Sequence, residues 1–274
     1  MISKEMNKNL SINGGIREAF NEARRQKALY GDENVYDLSI GNPSAPVPRK
    51  VTEVLKDFCG KKELDHQYMC ESGYEEVREK IADHLNQKYN TGYGINNIIM
   101  TNGVAGGINI VLRALLNPGD EVIIFRPYYP AYKGFVENWQ GKIVEVNPKE
   151  DFQPDFEDLE HKITIRTKVV IVNSPHNPTG VIYTKETAAK ISEILKSKQK
   201  EYGHAICLLS DEPYRDLVYI EEELPWWPDF YRNTIVSYSF SKSLSLAGER
   251  IGYLTIPTEV EDSENVIKAV RLAM

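Results

Sequence analysis

From Asn97 onward, short β-branched runs alternate with stretches whose apolar positions recur every three or four residues. Such alternation predicts βαβ units and a largely parallel sheet. Strands are expected at Ile98–Met100, Glu121–Phe125, Lys142–Val146, Lys168–Val172, Ala205–Leu209, Thr234–Tyr238 and Gly252–Ile256. Helices are expected at Val104–Leu116, closed by Asn117-Pro118-Gly119, and at Ala131–Trp139. Thr184 can cap a third running to Tyr202, with Ala188, Ile191, Ile194 and Leu195 on one side. A last one covers Asn265–Met274. Upstream, Ile16–Leu29 and Val51–Phe58 read as helices, and Val35–Ile40 alternates like a short strand. Gly41–Pro48 holds three prolines, which excludes helix and central strand. Tyr74–Tyr89 reads as an amphipathic helix with Tyr74, Val77, Ile81, Leu85 and Tyr89 on its apolar face.

The 274 residues are 41% hydrophobic and 27% charged, enough for one large core. A net charge of −7 argues against a nucleic-acid surface, which needs a basic patch. No apolar run approaches a membrane span, and no signal peptide is visible after Met1. Cys59, Cys70 and Cys207 form an odd, scattered set, which fits free thiols and a cytoplasmic location. The five histidines lack metal-ligand spacing.

Ligands of an open α/β sheet bind beyond the carboxyl ends of its strands. The unusual residues of this chain fall just after predicted strands. Thr101-Asn102-Gly103-Val104-Ala105-Gly106-Gly107 is a glycine-rich turn into a helix, whose first amides can hold a phosphate. It matches neither the dinucleotide fingerprint nor the P-loop. Pro127-Tyr128-Tyr129-Pro130-Ala131-Tyr132 is a stiffened loop presenting aromatics. Asn173-Ser174-Pro175-His176-Asn177-Pro178-Thr179-Gly180 and Asp211-Glu212-Pro213-Tyr214 follow apolar runs. A carboxylate closing a buried strand needs a partner, or its pKa rises. Within Ser237–Leu254, Lys242 sits among small hydroxyl residues. Such a lysine is suited to a lowered pKa, and a neutral amine can form an imine. The hydroxyls and Arg250 suit a phosphate. Singly, these segments read as well as a solvated lysine loop, packed aromatics and proline turns.

Together they resemble the class I/II aminotransferases, pyridoxal-phosphate enzymes of the aspartate aminotransferase superfamily. That family's S-x-[SAT]-K followed by G-x-R-x-G is met by Ser239, Lys242, Gly248, Arg250 and Gly252. Its T-x-G-x-x-x-[AG] turn is met from Thr101, with Ala105 where a hydroxyl is common. P-x-[YFW]-P-x-Y, H-N-P-T-G and D-[EA]-x-Y are met at Pro127–Tyr132, His176–Gly180 and Asp211–Tyr214. Y-x(4)-G-x(3)-[LV]-R is met by Tyr68, Gly73, Val77 and Arg78, and G-[ND]-P by Gly41–Pro43. The resemblance runs from about Gly41 to Ile256.

The resemblance implies an α/β fold: a three-layer large domain with a mostly parallel mixed sheet, and an N-terminal arm. It places the arm and part of a small domain in residues 1–48 and the pyridoxal-phosphate-binding large domain in 49–274. The family's C-terminal small domain, with its arginine for the substrate carboxylate, is expected to be absent. Lys242 is the implied imine-forming lysine, whose freed amine takes the α-proton. Asp211 is the implied partner of the pyridine nitrogen, and Tyr129 the ring-stacking aromatic. Asn177 and Tyr214 share the phenolic oxygen. Gly103, Val104, Ala105, Ser239 and Arg250 hold the phosphate, joined by Tyr68 from the partner subunit of a homodimer. Gly41 approaches the substrate carboxylate. The implied reaction moves an amino group from an L-amino acid to a 2-oxo acid. A lyase or decarboxylase on the same scaffold would share all of these residues.

Overall fold

β-Branched runs cannot satisfy their backbone alone and must pair. In the computed structural model, which describes residues 1–3, 6–7, 14–61 and 68–274, those from Ile98 onward build one seven-stranded sheet. The chain divides into two units, Met1–Ala45 and Pro46–Met274.

In the first unit, helix α1 spans Gly14–Tyr30, matching the predicted amphipathic stretch. Val35–Ile40 is not a strand. Asp37 accepts hydrogen bonds from the backbone N–H and hydroxyl of Ser39, a local turn that competes with extended pairing. Its alternating apolar residues, Tyr36 and Leu38, are exposed.

In the second unit, α2 spans Arg49–Cys59 and α3 Glu75–Tyr89. The face that α3 buries differs from the one predicted: Arg78, Ala82 and Leu85 are inside, while Tyr74 and Val77 are exposed. Arg78 is drawn inward because its guanidinium donates to the carbonyls of Gly73 and Ile95 at 3.1 and 2.8 Å. The chain then runs β1 (Ile98–Thr101), α4 (Gly103–Leu115), β2 (Glu121–Phe125), α5 (Ala131–Glu137), β3 (Lys142–Val146), α6 (Phe156–Lys162) and β4 (Thr167–Asn173). There follow α7 (Lys185–Tyr202), β5 (Cys207–Asp211), α8 (Trp227–Phe230), β6 (Thr234–Ser239), α9 (Phe240–Ser243), β7 (Gly252–Thr255) and α10 (Ser263–Leu272). The sequence pattern did not mark α6 and α8, and it read the segment of α9 as a loop. α6 is seven residues long and is capped by Asp155, which accepts from the amides of Glu157 and Asp158.

The strand order is β1-β7-β6-β5-β4-β2-β3. All pairs are parallel except those of β7, which is antiparallel to both β1 and β6. β2 is buried along its whole length, and successive side chains enter opposite layers. Ile124 joins Ile99, Val111, Leu112, Val136 and Leu254 on the side of α4, α5 and α10. Ile123 joins Val170, Ile191, Leu195, Leu208 and Trp227 on the side of α7 and α8. Each such isoleucine contributes about 1.5–3 kcal/mol by leaving water. A third cluster packs Ala82 and Leu85 of α3 on Ile98, Val236, Tyr238 and Tyr253. The arrangement is the expected three-layer α/β one, with a mostly parallel mixed sheet. Among the described residues no helix is long and apolar enough to cross a membrane.

Candidate active site

Because β7 runs against its neighbours, its first residue lies beside the last residues of β1 and β6. Gly252 pairs with Thr101 on one side and Ser239 on the other. Glycine is required there: a Cβ would lie 2.5 Å from the Tyr238 carbonyl and 2.9 Å from Gly103 Cα. Gly103 starts α4 with φ of 70°, and a Cβ on it would meet the Arg250 guanidinium at 3.0 Å. Arg250 is itself left-handed, with φ of 56°, an uncommon state for a side-chain-bearing residue. The Asn102 side chain makes no capping bond, so the first amides of α4, at Gly103, Val104 and Ala105, face outward from the helix end. Amides, buried Ser239 and the Arg250 cation thus gather at one sheet edge. That is chemistry for an anion.

The adjacent strand end carries the carboxylate. Asp211 closes β5 and is 4% exposed. Its Oδ2 accepts from the Tyr132 hydroxyl, and its Oδ1 has no hydrogen-bond partner among the described residues. Burial pushes its pKa up to about 7, against the lowering effect of the Tyr132 bond, with the neighbouring Glu212 charge adding to the rise. Burial, with the Asp211 charge beside it, also raises the Tyr132 phenol well above its ordinary value. Tyr129 meets Tyr132 edge-on, with ring centres 5.7 Å apart, and keeps 40% of its own surface exposed.

Asn177 and Tyr214 come together, the amide donating to the phenol oxygen at 3.2 Å. Asn173 underlies both loops. Its Oδ1 accepts from the Asn177 amide at 2.7 Å, and its Nδ2 donates to the Asp211 carbonyl at 2.8 Å. Lys242 lies in α9, half-buried, and burial lowers its pKa. Apart from Tyr68, the site residues of the second unit therefore stand at or just beyond the carboxyl ends of β1, β2, β4, β5 and β6 and at the start of β7. Tyr68 does not join them within this chain, and its side chain is fully exposed. Gly41 belongs to the first unit.

Three features escaped sequence reasoning. Tyr132 was the last residue of a quoted motif, but its bond to Asp211 spans 79 positions. Asn173 read only as the first residue of the loop after a strand. Glu212 and Arg215 form a buried ion pair, and Arg215 also donates to the Pro225 carbonyl and lies over the Tyr89 and Trp226 rings. An acid three residues before an arginine was the one available signal.

Residues 33–273 match the family model for aminotransferase class I and II. The chain belongs to that family. It is similar to the crystal structure of an aminotransferase from Eubacterium rectale, at 42% identity and a TM-score of 0.94, over 100% of this chain and 70% of that one. The aspartate aminotransferase of Thermotoga maritima superposes with a TM-score of 0.86 at 30% identity, over 99% of this chain and 68% of that one. The aspartate aminotransferase of Sulfolobus acidocaldarius is 35% identical over 271 residues, 94% of this chain and 63% of that protein. The chain thus spans less than two thirds of that relative's length. Within the class I and II aminotransferase family, the cluster around Asp211, Asn177, Lys242 and Arg250 falls at the sheet edge where an α/β fold holds its ligand.

Proposed function

We propose that this chain carries the cofactor site of a pyridoxal-phosphate-dependent aminotransferase acting on an L-amino acid and a 2-oxo acid. The observation that carries the reading is Asp211 Oδ1, a buried carboxylate oxygen with no hydrogen-bond partner among the described residues, at the end of the strand next to β6. A carboxyl held near neutrality by burial is completed by a cationic N–H donor, which would lower its pKa and satisfy its oxygen. A protonated pyridine nitrogen is such a donor, and an Asp in this role suits the cofactor. The α4 amides of Gly103, Val104 and Ala105, with Ser239 and Arg250, supply donors for its phosphate. Tyr129 offers an exposed ring face for stacking. Asn177 and Tyr214 offer an amide and a phenol for its ring oxygen.

When bound, pyridoxal phosphate supplies an electron sink that acidifies the α-C–H of an attached amino acid. The residues do the rest. Burial favours the neutral amine of Lys242, the form that can attack an aldehyde and accept a proton. Lys242 would then take the α-proton and could return one. Asp211, ionised against a cationic partner, would hold the ring nitrogen. Tyr132 keeps the other carboxylate oxygen occupied, so a single oxygen is left for the ring.

Fully exposed Tyr68 fits a residue offered to a second copy, in a two-fold dimer whose sites are shared. Gly41 would serve the substrate carboxylate. The names of the relatives make L-aspartate the first donor to try, and none of those reported above favours a lyase or decarboxylase. The test is to load the protein with pyridoxal phosphate and follow its visible band during titration with L-aspartate and other amino acids. Transamination converts the band and yields a 2-oxo acid, and Lys242→Ala should abolish the borohydride-reducible adduct. An adduct that persists in that variant would overturn the assignment of the lysine.

A further inference from the structure

The lysine of this site sits on a support too short to hold itself. Helix α9 is four residues long, about one turn, and an isolated turn is unstable. After it the chain turns through Ser245 at φ of 56°. Something outside the helix must fix where Lys242 stands.

Two side chains next to Lys242 on the helix are held from below. Phe240 packs against Tyr238 and Tyr253, with ring centres 5.3 and 6.0 Å away. The hydroxyl of Ser243, the residue after Lys242, lies 2.8 Å from the Tyr238 hydroxyl. Tyr238 is a buried residue of β6, and its hydroxyl is 2.6 Å from Asp216 Oδ2. Asp216 Oδ1 in turn accepts from Lys88 of α3 at 3.1 Å. The direction of the chain follows from the donor inventory. Burial works against the Asp216 charge, but the bonds from Tyr238 and Lys88 outweigh it and keep the carboxyl below its ordinary pKa. An ionised carboxylate only accepts, and a phenol has one proton. Tyr238 therefore donates to Asp216, and Ser243 donates to Tyr238.

Asp216 lies five residues after Asp211, in the loop that also carries Tyr214. The chain Lys88–Asp216–Tyr238–Ser243 therefore fastens the lysine helix to the loop that follows Asp211 and bears the Tyr214 phenol. We infer that Asp216 and Tyr238 are positioning residues. Through Ser243 they hold α9 so that the Lys242 amine keeps its place relative to Asp211 and Tyr214. This inference rests on the transamination reading for its kinetic consequence but not for the tether itself.

Three variants cut the tether at different links: Asp216→Asn, Tyr238→Phe and Ser243→Ala. Ser243→Ala removes one half-buried hydroxyl and spares the fold, so it remains informative if the others destabilise the chain. In the cofactor-free chain, amide hydrogen exchange over residues 240–246 should quicken about fivefold or more, as lost side-chain bonds lower local opening costs. Exchange in α7 should stay unchanged. In the loaded chain, exchange of a substrate α-proton with deuterated water should fall roughly 10- to 100-fold, the scale expected of a misplaced group. KM and cofactor affinity should stay within about twofold, as the tether touches neither ligand. The Tyr238→Phe/Ser243→Ala double variant should cost no more than the worse single one, because both cut one chain. Unchanged amide exchange, or α-proton exchange at the wild-type rate in all three variants, would overturn the inference. If the wild type itself exchanges no α-proton while residues 240–246 loosen in the variants, the tether stands and the transamination reading falls.

Discussion

Removing the Asp211 charge should stabilise the cofactor-free chain increasingly as pH rises. The folded-state carboxyl has its pKa pushed up to about 7 from 3.8, chiefly by burial. At about 1.4 kcal/mol per pKa unit, the ionised group opposes folding by about 4 kcal/mol. The folded chain binds this proton more tightly than the unfolded one. The group's favourable contribution is therefore complete below pH 3.8, is lost as pH rises through the interval, and is gone above about 7. Asp211→Asn keeps the shape and the acceptor for Tyr132 but cannot ionise. Its amide N–H would sit unpartnered where Oδ1 now lies, a cost of about 1–3 kcal/mol that does not vary with pH. The informative quantity is the change in the stability gap between the two proteins, not its absolute value. Urea unfolding of both at pH 5, 6, 7 and 8 should show the gap moving in the variant's favour by roughly 2.5 kcal/mol across that range. A gap constant to within about 0.5 kcal/mol would refute the reasoning, since the carboxyl would then titrate alike in both states.

Other substitutions have equally definite outcomes. Gly252→Ala should lower stability by about 3 kcal/mol or more, because backbone of β6 and of the start of α4 closes on the new methyl, whereas Gly248→Ala meets nothing within 4 Å and should be near neutral; thermal unfolding of the pair decides it. Glu212→Ala should cost about 3–5 kcal/mol in urea unfolding by stranding the buried Arg215 cation, and a loss under about 1 kcal/mol would show the pair to be dispensable. Tyr214→Phe should weaken pyridoxal-phosphate affinity by about three- to tenfold, the worth of one hydrogen bond, read by spectral titration. Mixing Tyr68→Phe with Lys242→Ala subunits should restore some activity through hybrid sites if Tyr68 serves the partner; no recovery in a mixed dimer would place it elsewhere.

Much of this architecture was legible because local chemistry agrees with it. Thr184 does cap α7, its hydroxyl accepting from the Thr187 amide at 3.3 Å. β2 and β3 begin and end where their β-branched runs do. Where local and long-range forces diverge, the pattern misled. Val35–Ile40 alternates like a strand but is turned by Asp37. Hydrophobicity put Val77 on the inner face of α3, but hydrogen bonds to the Gly73 and Ile95 carbonyls hold the Arg78 guanidinium there instead. The β5 run was read two residues early, and its true end is Asp211. Within the site, the residues of the motifs could be named, but not what holds them. Tyr132 to Asp211, Asn173 to Asp211 and Lys88 to Asp216 are separated by 79, 38 and 128 positions. No periodicity encodes such pairs, because they follow from the order of strands in the sheet.

The reversed strand β7 also fixes when the site can come into being. β1 has β7 as its sheet neighbour, and Ile98 pairs with Thr255, 157 residues later (255 − 98). At a synthesis rate of about 5–20 residues per second, β1 waits roughly 8 to 30 s on the ribosome before its partner exists. Until then the edge of β6 is open as well, and both are templates for pairing with another chain. The strand that completes the sheet is also the one that brings Gly252 and Arg250 to Gly103. Gly103, Ser239 and Arg250 are therefore not gathered in a nascent chain until β7 is inserted. A ligand held by these groups cannot help the earlier strands to fold, and any chaperone demand should concentrate in the interval before residue 255 emerges.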